Sequence, residues 1–380
     1  MSTKKKLLIC IDWFDPAYKA GGPIRSIVNL AGHLSGIFDI YIYTSNHDLH
    51  EANPLQDIQP DQWCRHFSGA QVLYASGHST GNSFITRMLT DLAPDCIYLN
   101  SVFSKNFTID VIRAYRQSAS HARLVLAPRG MLKPSALATK TFKKKLFLLL
   151  AKMAGIHKLL HFHVTNETEA KEVATVFGNR PVTIANNFPV SIQPEPVYLE
   201  KVPGSIQLVL VGRVHPIKNI DFLLSLLKDL HGTVQLDIIG VAEDEIYWQQ
   251  CKSIIKELPA DKKVCLLGDM PHHLLTNELA GHHLFVLPTK GENFGHAIAE
   301  ALCSGRPVLI SDQTPWKNLR LSMAGWDCSL QSPEQFTEAL QQALDWDQAG
   351  FDNWCRGALV YMRTHQSNHL LVQQYQQLFN

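Results

Sequence analysis

From Lys6 onward, apolar runs of about four to eight residues alternate with longer stretches in which apolar positions recur every three or four residues. Runs of the first kind read as strands buried on both faces, and the second kind as helices that cover them, so the pattern predicts an α/β fold built on parallel sheets. Strands are expected at 6–13, 38–45, 70–75, 96–100 and 123–127, with helices near 24–34, 83–92 and 106–118. A polar loop without periodicity runs to about Asp61. A short strand from His161 should lead into a helix capped by Thr165 or Asn166, and 182–188 closes this half. After 189–204, which carries four prolines, the pattern restarts with strands at 206–212, 235–239, 264–267, 284–288, 307–311 and 326–330. A helix over 220–230 and two final helices, 351–364 and 367–379, complete the expectation.

A chain of 380 residues exceeds what one hydrophobic core usually serves, so the pattern divides into two domains. The expected division is 1–188, a linker at 189–204, a second domain at 205–350, and C-terminal helices at 351–380 that pack back on the first domain. Charge adds little: the formal net charge of +1 gives no footprint for nucleic acid. The eight cysteines, Cys10, Cys64, Cys96, Cys251, Cys265, Cys303, Cys328 and Cys355, are scattered without a C-x-x-C pair. They read as reduced core residues of a cytoplasmic protein. The basic Met1–Lys6 stretch is followed by only about seven apolar-rich residues, too few for a signal peptide or a spanning helix.

Candidate chemistry concentrates at strand ends, where α/β sheets place their ligands. In 286–305 an apolar strand runs into Thr289-Lys290-Gly291-Glu292-Asn293 and then a helix opening on Phe294-Gly295. That helix has no acidic residue in its first turn, so its N–H groups and dipole are free for an anion. Glu292 and Glu300 bracket the turn, on the order of 9 Å apart at about 1.5 Å per helical residue. The same residues also fit an ordinary strand, loop and helix with two solvated glutamates. Arg213, His215, Lys218 and Asn219 follow the strand at 206–212, and an arginine fork beside a lysine suits a pyrophosphate. Gly21-Gly22-Pro23 precedes the first helix and reads either as a phosphate loop or as a tight turn. Asn100-Ser101 and Pro128-Arg129-Gly130 also stand at strand ends and are candidate cleft residues.

Residues 140–160 differ from their surroundings. Lys140, Lys143, Lys144, Lys145, Lys152 and Lys158 interleave with Phe142 and the run Leu146 to Leu150. Such a segment suits an anionic membrane interface, or a core-packing helix with a solvated lysine face. His161 and His163 share one face of a strand, but no third ligand type clusters with them, so no metal is expected there. Asp345-Trp346-Asp347 spells a D-x-D inside a helical stretch, away from any strand end, and is set aside.

Gly212-Arg213-Val214-His215-Pro216-Ile217-Lys218-Asn219, followed about 80 residues later by Glu292 to Glu300 in the pattern E-x-F-G-x-x-x-x-E, resembles the retaining nucleotide-sugar glycosyltransferases of family 4. Gly21-Gly22-Pro23-Ile24-Arg25 is similar to that family's N-terminal G-G-x-x-R loop, so the likeness covers essentially the whole chain. The resemblance implies a GT-B fold: two Rossmann-like domains with parallel sheets facing across a cleft and C-terminal helices crossing back to the first domain. It implies that Arg213 and Lys218 hold the donor diphosphate with backbone N–H groups around Asn293, Phe294 and Gly295. Glu300 would accept from ribose hydroxyls and Glu292 from hydroxyls of the transferred sugar, while Gly21 and Gly22 close over the donor. No metal or other cofactor is then required. Where many members carry a histidine, this chain has Arg129, a variant associated with the surface-polysaccharide type. An arginine cannot serve as a base near neutral pH, so Arg129 would hold an acceptor or phosphate anion.

The function implied is transfer of a sugar from a nucleotide diphosphate sugar, UDP-linked in this reading, to a saccharide or lipid-linked acceptor in cell-surface polysaccharide synthesis. The place implied is the cytoplasm, at the inner face of the membrane, with no nucleic-acid partner. A GT-B sugar-nucleotide epimerase, a phosphorylase and a catalytically silent nucleotide-sugar-binding scaffold are the alternatives. An epimerase would turn over donor without acceptor, and a phosphorylase would need free phosphate.

Overall fold

A computed structural model describes residues 4–138, 141–365 and 368–380. Met1, at the start of the basic N-terminal stretch, Lys140, at the start of the basic segment, and Ser367, where the last helix was expected to begin, lie outside the described residues. The chain forms two compact units, Met1–Phe188 together with Asn368–Asn380, and Pro189–Ser367.

The first unit is built on eight strands: β1 (Lys6–Ile11), β2 (Asp39–Ser45), β3 (Trp63–Arg65), β4 (Gln71–Ala75), β5 (Cys96–Asn100), β6 (Arg123–Ala127), β7 (Leu160–Val164) and β8 (Val182–Ile184). They pair in the order β3-β4-β2-β1-β5-β6-β7-β8, all parallel except β3, which runs antiparallel to β4. The two-residue period of β1 feeds two cores. Leu7 and Ile9 pack with Ile27, Leu34 and Tyr375, and Leu8 and Cys10 pack with Leu89, Phe107 and Leu148. Strand β3 falls next to the expected polar loop. Three residues are too few to show a period, and its place comes from ladder pairing to β4 and from Trp63 set edge-on against Tyr41.

The second unit carries β9 (Ser205–Val211), β10 (Thr233–Ile239), β11 (Lys262–Gly268), β12 (Leu284–Leu287), β13 (Val308–Ser311) and β14 (Gly325–Cys328), all parallel, in the order β11-β10-β9-β12-β13-β14. The structure differs from expectation at the C-terminal helices and at two cysteines. Helix Gln348–His365 stays in the second unit instead of crossing back, because its apolar stripe (Phe351, Trp354, Ala358, Met362) is buried in that unit's core, with Trp354 stacked on Trp326 at 4.2 Å. Only Asn368–Phe379 joins the first unit, where Tyr375, Leu378 and Phe379 enter its core. Residues 189–204, expected as the linker, are tied to the second unit: Gln193 N donates to Cys303 O at 2.9 Å, and buried Lys201 Nζ donates to Leu344 O and Trp346 O. Cys265 is exposed on the edge strand β11 and Cys64 is half-buried, so these two are not core residues, although all eight cysteines are free thiols.

Candidate functional site

In an open parallel sheet the loops following two neighbouring strands diverge where the strand order reverses, and the crevice they leave takes ligands. In the second sheet that reversal lies between β9 and β12. The loops that follow these strands are 212–219 and 288–295, so topology brings together the two motifs that sequence singled out. They are joined by backbone as well: Lys290 N donates to Ile217 O at 2.7 Å and Thr289 Oγ1 to the same oxygen at 3.1 Å. Glu292 N donates to Gln313 O at 3.1 Å, which ties the loop to the end of β13.

Across this junction Lys218 Nζ and the Glu292 carboxylate form a direct, largely buried ion pair, with side chains 18% and 17% exposed. Lys218 ends a single 3-10 turn, Pro216–Lys218, capped by His215, whose Nδ1 accepts from Ile217 N at 3.2 Å. Arg213 is more open, and its Nη1 donates to both oxygens of Glu243 at 2.7 and 2.6 Å. Gly240, at the end of β10, lets this edge close up: a Cβ there would stand 2.2 Å from Gly212 O.

Helix His296–Cys303 starts at the same junction with no side-chain cap and no acid in its first turn. Its N-cap, Gly295, has φ 76°, and a Cβ there would sit 2.8 Å from Ile298 Cδ1, so the turn is built for glycine. Trp316 Nε1 donates to Phe294 O at 2.6 Å and fixes the peptide preceding Gly295. Asn293 Oδ1 is buried and has no hydrogen-bond partner among the described residues. Glu300 lies inside the helix, 4% exposed, with Oε1 2.8 Å from His272 Nε2. The two glutamates therefore serve separate partners and do not share one reacting atom.

In the first sheet the reversal lies between β1 and β5. Asp12 follows β1, and its carboxyl is held above the usual range by burial, against a 2.6 Å hydrogen bond from Ser104 Oγ that works the other way. Asn100 ends β5 and Ser101 follows it. Arg129, after β6, has φ 54°, an uncommon backbone for a residue other than glycine, and is held by its side chain. Nε and Nη2 donate to Asn100 Oδ1 at 3.1 and 2.7 Å, Nη1 to Asn187 Oδ1 at 2.6 Å, and Nη2 to Tyr98 Oη at 3.1 Å. Tyr98 Oη stands 2.6 Å from His163 Nδ1, whose other nitrogen meets Ala185 O at 2.9 Å. Burial, with Arg129 nearby, pushes the imidazole down to about 3, so His163 is neutral, accepting from Tyr98 and donating to Ala185. Arg129 is thus a strut among neutral oxygens. Gly21 (φ 66°) caps helix Gly22–Leu34, whose first turn also lacks an acid.

The structure brings Arg213, Lys218, Glu292, Asn293, Phe294, Gly295 and Glu300 to one sheet edge of the second unit. Asn100 and Arg129 share one network of the first, whereas Ser101 Oγ turns instead to Met131 Sδ at 3.4 Å. Sequence reading did not find Glu243, His272, Asp12, Tyr98 or Asn187 as site residues. Asp12 and Asn187 stand just past strand ends, but Tyr98, Glu243 and His272 carry no local signal because their partners lie 28 to 31 positions away. Among the described residues, one group of three acid or histidine side chains lies close enough to hold a metal: Asp237, Glu278 and His282. It is not part of either motif loop, and His282 is already satisfied by Asp237 Oδ2 at 3.0 Å and Glu278 O at 2.8 Å.

Residues 194–348 match the family model of glycosyl transferases group 1. No curated protein sequence matches the chain. Among solved structures, sucrose-phosphate synthase from Thermosynechococcus elongatus superposes with a TM-score of 0.69 at 16% identity, covering 99% of this chain and 98% of its own. Anabaena HepE in complex with UDP and glucose gives 0.69 at 13% identity, covering 98% and 99%. WaaG, a glycosyltransferase involved in lipopolysaccharide biosynthesis, gives 0.64 at 14% identity, covering 98% and 99%. With two parallel-sheet α/β units and these likenesses along nearly its whole length, the chain has the GT-B glycosyltransferase fold.

Proposed function

We propose that this protein is a retaining glycosyltransferase of the family 4, surface-polysaccharide type, taking a nucleotide diphosphate sugar, UDP-linked, and a saccharide or lipid-linked acceptor. The observation that carries the proposal is the β9/β12 reversal, which sets the Arg213–Lys218 loop against the Glu292–Gly295 loop with Lys218 and Glu292 in contact. A cation and an anion held together where an uncapped helix begins are matched to a ligand that is anionic at one end and rich in hydroxyls at the other. On donor entry Lys218 turns to the diphosphate and Glu292 to a sugar hydroxyl. Arg213 exchanges the Glu243 carboxylate for phosphate oxygens, the same guanidinium meeting the same sign of charge. The first N–H groups of helix His296–Cys303 face the diphosphate, the Asn293 amide accepts from the ligand, and Glu300, oriented by His272, accepts from the ribose.

In the transfer step the bond from the anomeric carbon to the β-phosphate oxygen breaks as the acceptor oxygen bonds to the same face, and the acceptor's proton passes to the departing phosphate. Arg213 and Lys218 stabilise the charge that develops there, so no metal is needed. Retention by a covalent route would need carboxyls about 5 Å apart on the reacting carbon. Glu292 and Glu300 are instead engaged separately, by Lys218 and His272. In the first unit, Gly21 and Gly22 take the approach of the donor, and Asn100, Ser101 and Arg129 the acceptor side, with Arg129 as the positioning strut. The cytoplasm, at the inner face of an anionic membrane, is part of this reading and agrees with eight free thiols.

A thermal-shift screen against UDP-, GDP-, ADP- and dTDP-sugars tests it. The cognate donor at a hundred times its dissociation constant should stabilise by about 2.7 kcal/mol. No shift with any of the four, or donor turnover in the absence of acceptor, would overturn the transferase reading.

A further inference from the structure

We infer that helix Thr141–Met153 is an interfacial anchor whose outward face inserts into an anionic lipid bilayer. The helix carries two apolar stripes on opposite sides. Phe147, Leu148 and Ala151 turn inward, with Lys144 on the same face: Leu148 joins the core, Phe147 packs on Phe103 at 5.6 Å, and Lys144 Nζ is tied to Ala136 O at 2.6 Å. Leu146, Leu149, Leu150 and Met153, spaced i, i+3, i+4 and i+7, turn outward and are 44, 54, 54 and 75% exposed.

A core-packing helix with a solvated lysine face would show lysines at the centre of that outer face. Here the centre is leucine and methionine, and the lysines stand at its edges: Lys143 on one flank, Lys145 and Lys152 on the other, all exposed. Leu159 and Lys158, both exposed, follow the helix a few residues further along the chain. Five of the 17 exposed large apolar side chains among the described residues thus fall within 14 positions, too dense for the scattered apolar groups of an ordinary surface.

Charge names the occupant. From Val111 to Asn166 the sequence has no aspartate or glutamate and 11 lysines and arginines. A leucine ridge edged by lysines matches the acyl boundary below a layer of anionic headgroups, with the ridge entering about 5–10 Å and the lysines remaining among the phosphates. No helix among the described residues is long and apolar enough to cross a membrane, so this is attachment along the surface.

The test is co-sedimentation of the full chain with phosphatidylcholine vesicles, with and without phosphatidylglycerol, alongside sedimentation velocity without lipid. The wild-type protein should partition onto the anionic vesicles and be released by high salt. Lys145→Glu with Lys152→Glu should weaken partition by about fivefold or more per lysine. Leu149→Gln with Leu150→Gln should weaken it on the order of a hundredfold. Both pairs are exposed, and unchanged donor thermal shifts in the variants would show the fold and donor site intact, so this outcome is read separately from the transferase reading. Absence of partition onto anionic vesicles overturns the inference. So does a self-associated species, dissolved by the leucine variants, in a protein that ignores vesicles: the ridge would then be an interface between copies.

Discussion

Lys218 and Glu292 neutralise each other in a site from which water is largely excluded, so removing either leaves a poorly solvated charge behind. The two truncations should nevertheless separate in function. Lys218→Ala removes a contact to the diphosphate and should weaken binding of the nucleotide product as well as the donor. Glu292→Ala removes a contact made only by the sugar, so nucleotide affinity should persist while transfer falls about a hundredfold or more, near 3 kcal/mol in each variant. Isothermal titration with nucleotide, beside initial rates, checks the split; equal loss of nucleotide affinity in both would remove Glu292 from the sugar. A second prediction rests on His163. Its folded pKa, about 3, lies below the ordinary 6.5, so the native state refuses a proton that the unfolded chain accepts below pH 6.5. The stability that follows is fully present above pH 6.5 and is lost as pH falls toward about 3, amounting to about 2 kcal/mol between pH 6.5 and 5. Buried His283, pushed down to about 4 with Nδ1 accepting from Gln207 N, should act in the same direction in the second unit. Urea melts across this range should show the slope, and His163→Gln should flatten it.

At the scale of elements, the sequence pattern located nearly every strand because a strand buried on both faces must be an unbroken apolar run, whatever covers it. Strands 96–100 and 123–127 end where the pattern ends, and Asn166 proves to be the cap of helix Glu167–Phe177, its Oδ1 accepting from Glu169 N at 2.9 Å. Pattern gave less where a face is set by neighbours: nothing in the order of 141–153 says which of its two apolar stripes meets the core. The turn into helix His296–Cys303 shows the other limit. A glycine at 295 was legible, but its necessity comes from φ 76° and from Ile298 lying where a Cβ would be. Gly295→Ala should therefore cost about 1–2 kcal/mol of stability and tilt the first N–H groups away from the ligand. Donor affinity should drop by at least tenfold in the thermal-shift assay, and unaltered affinity would mean that the helix start does not meet the diphosphate.

Over the whole molecule, the chain returns to where it began. Helix Asn368–Phe379 places Tyr375 between Phe188 and His163, at ring distances of 4.9 and 5.2 Å, and its hydroxyl donates to Asn186 O at 3.1 Å. Tyr375→Ala should destabilise the first unit by about 3–5 kcal/mol although it lies nearly two hundred residues further on. Amide exchange in β1 and β5 should accelerate while β9 and β12 stay protected, and equal acceleration in both units would contradict the division.

Local order alone determined the alternation of strand and helix, the two-part chain, and the two motifs that end β9 and β12, because periodicity, capping and turn chemistry act over a few residues. Only the tertiary structure decided that those motifs meet, that Glu243 and His272 attend Arg213 and Glu300, that Arg129 is a strut among neutral oxygens, and that the leucines of 146–150 divide between core and surface. Each of these depends on strand order and on contacts between residues far apart in sequence, and a parallel sheet sets its strand order by packing both faces at once.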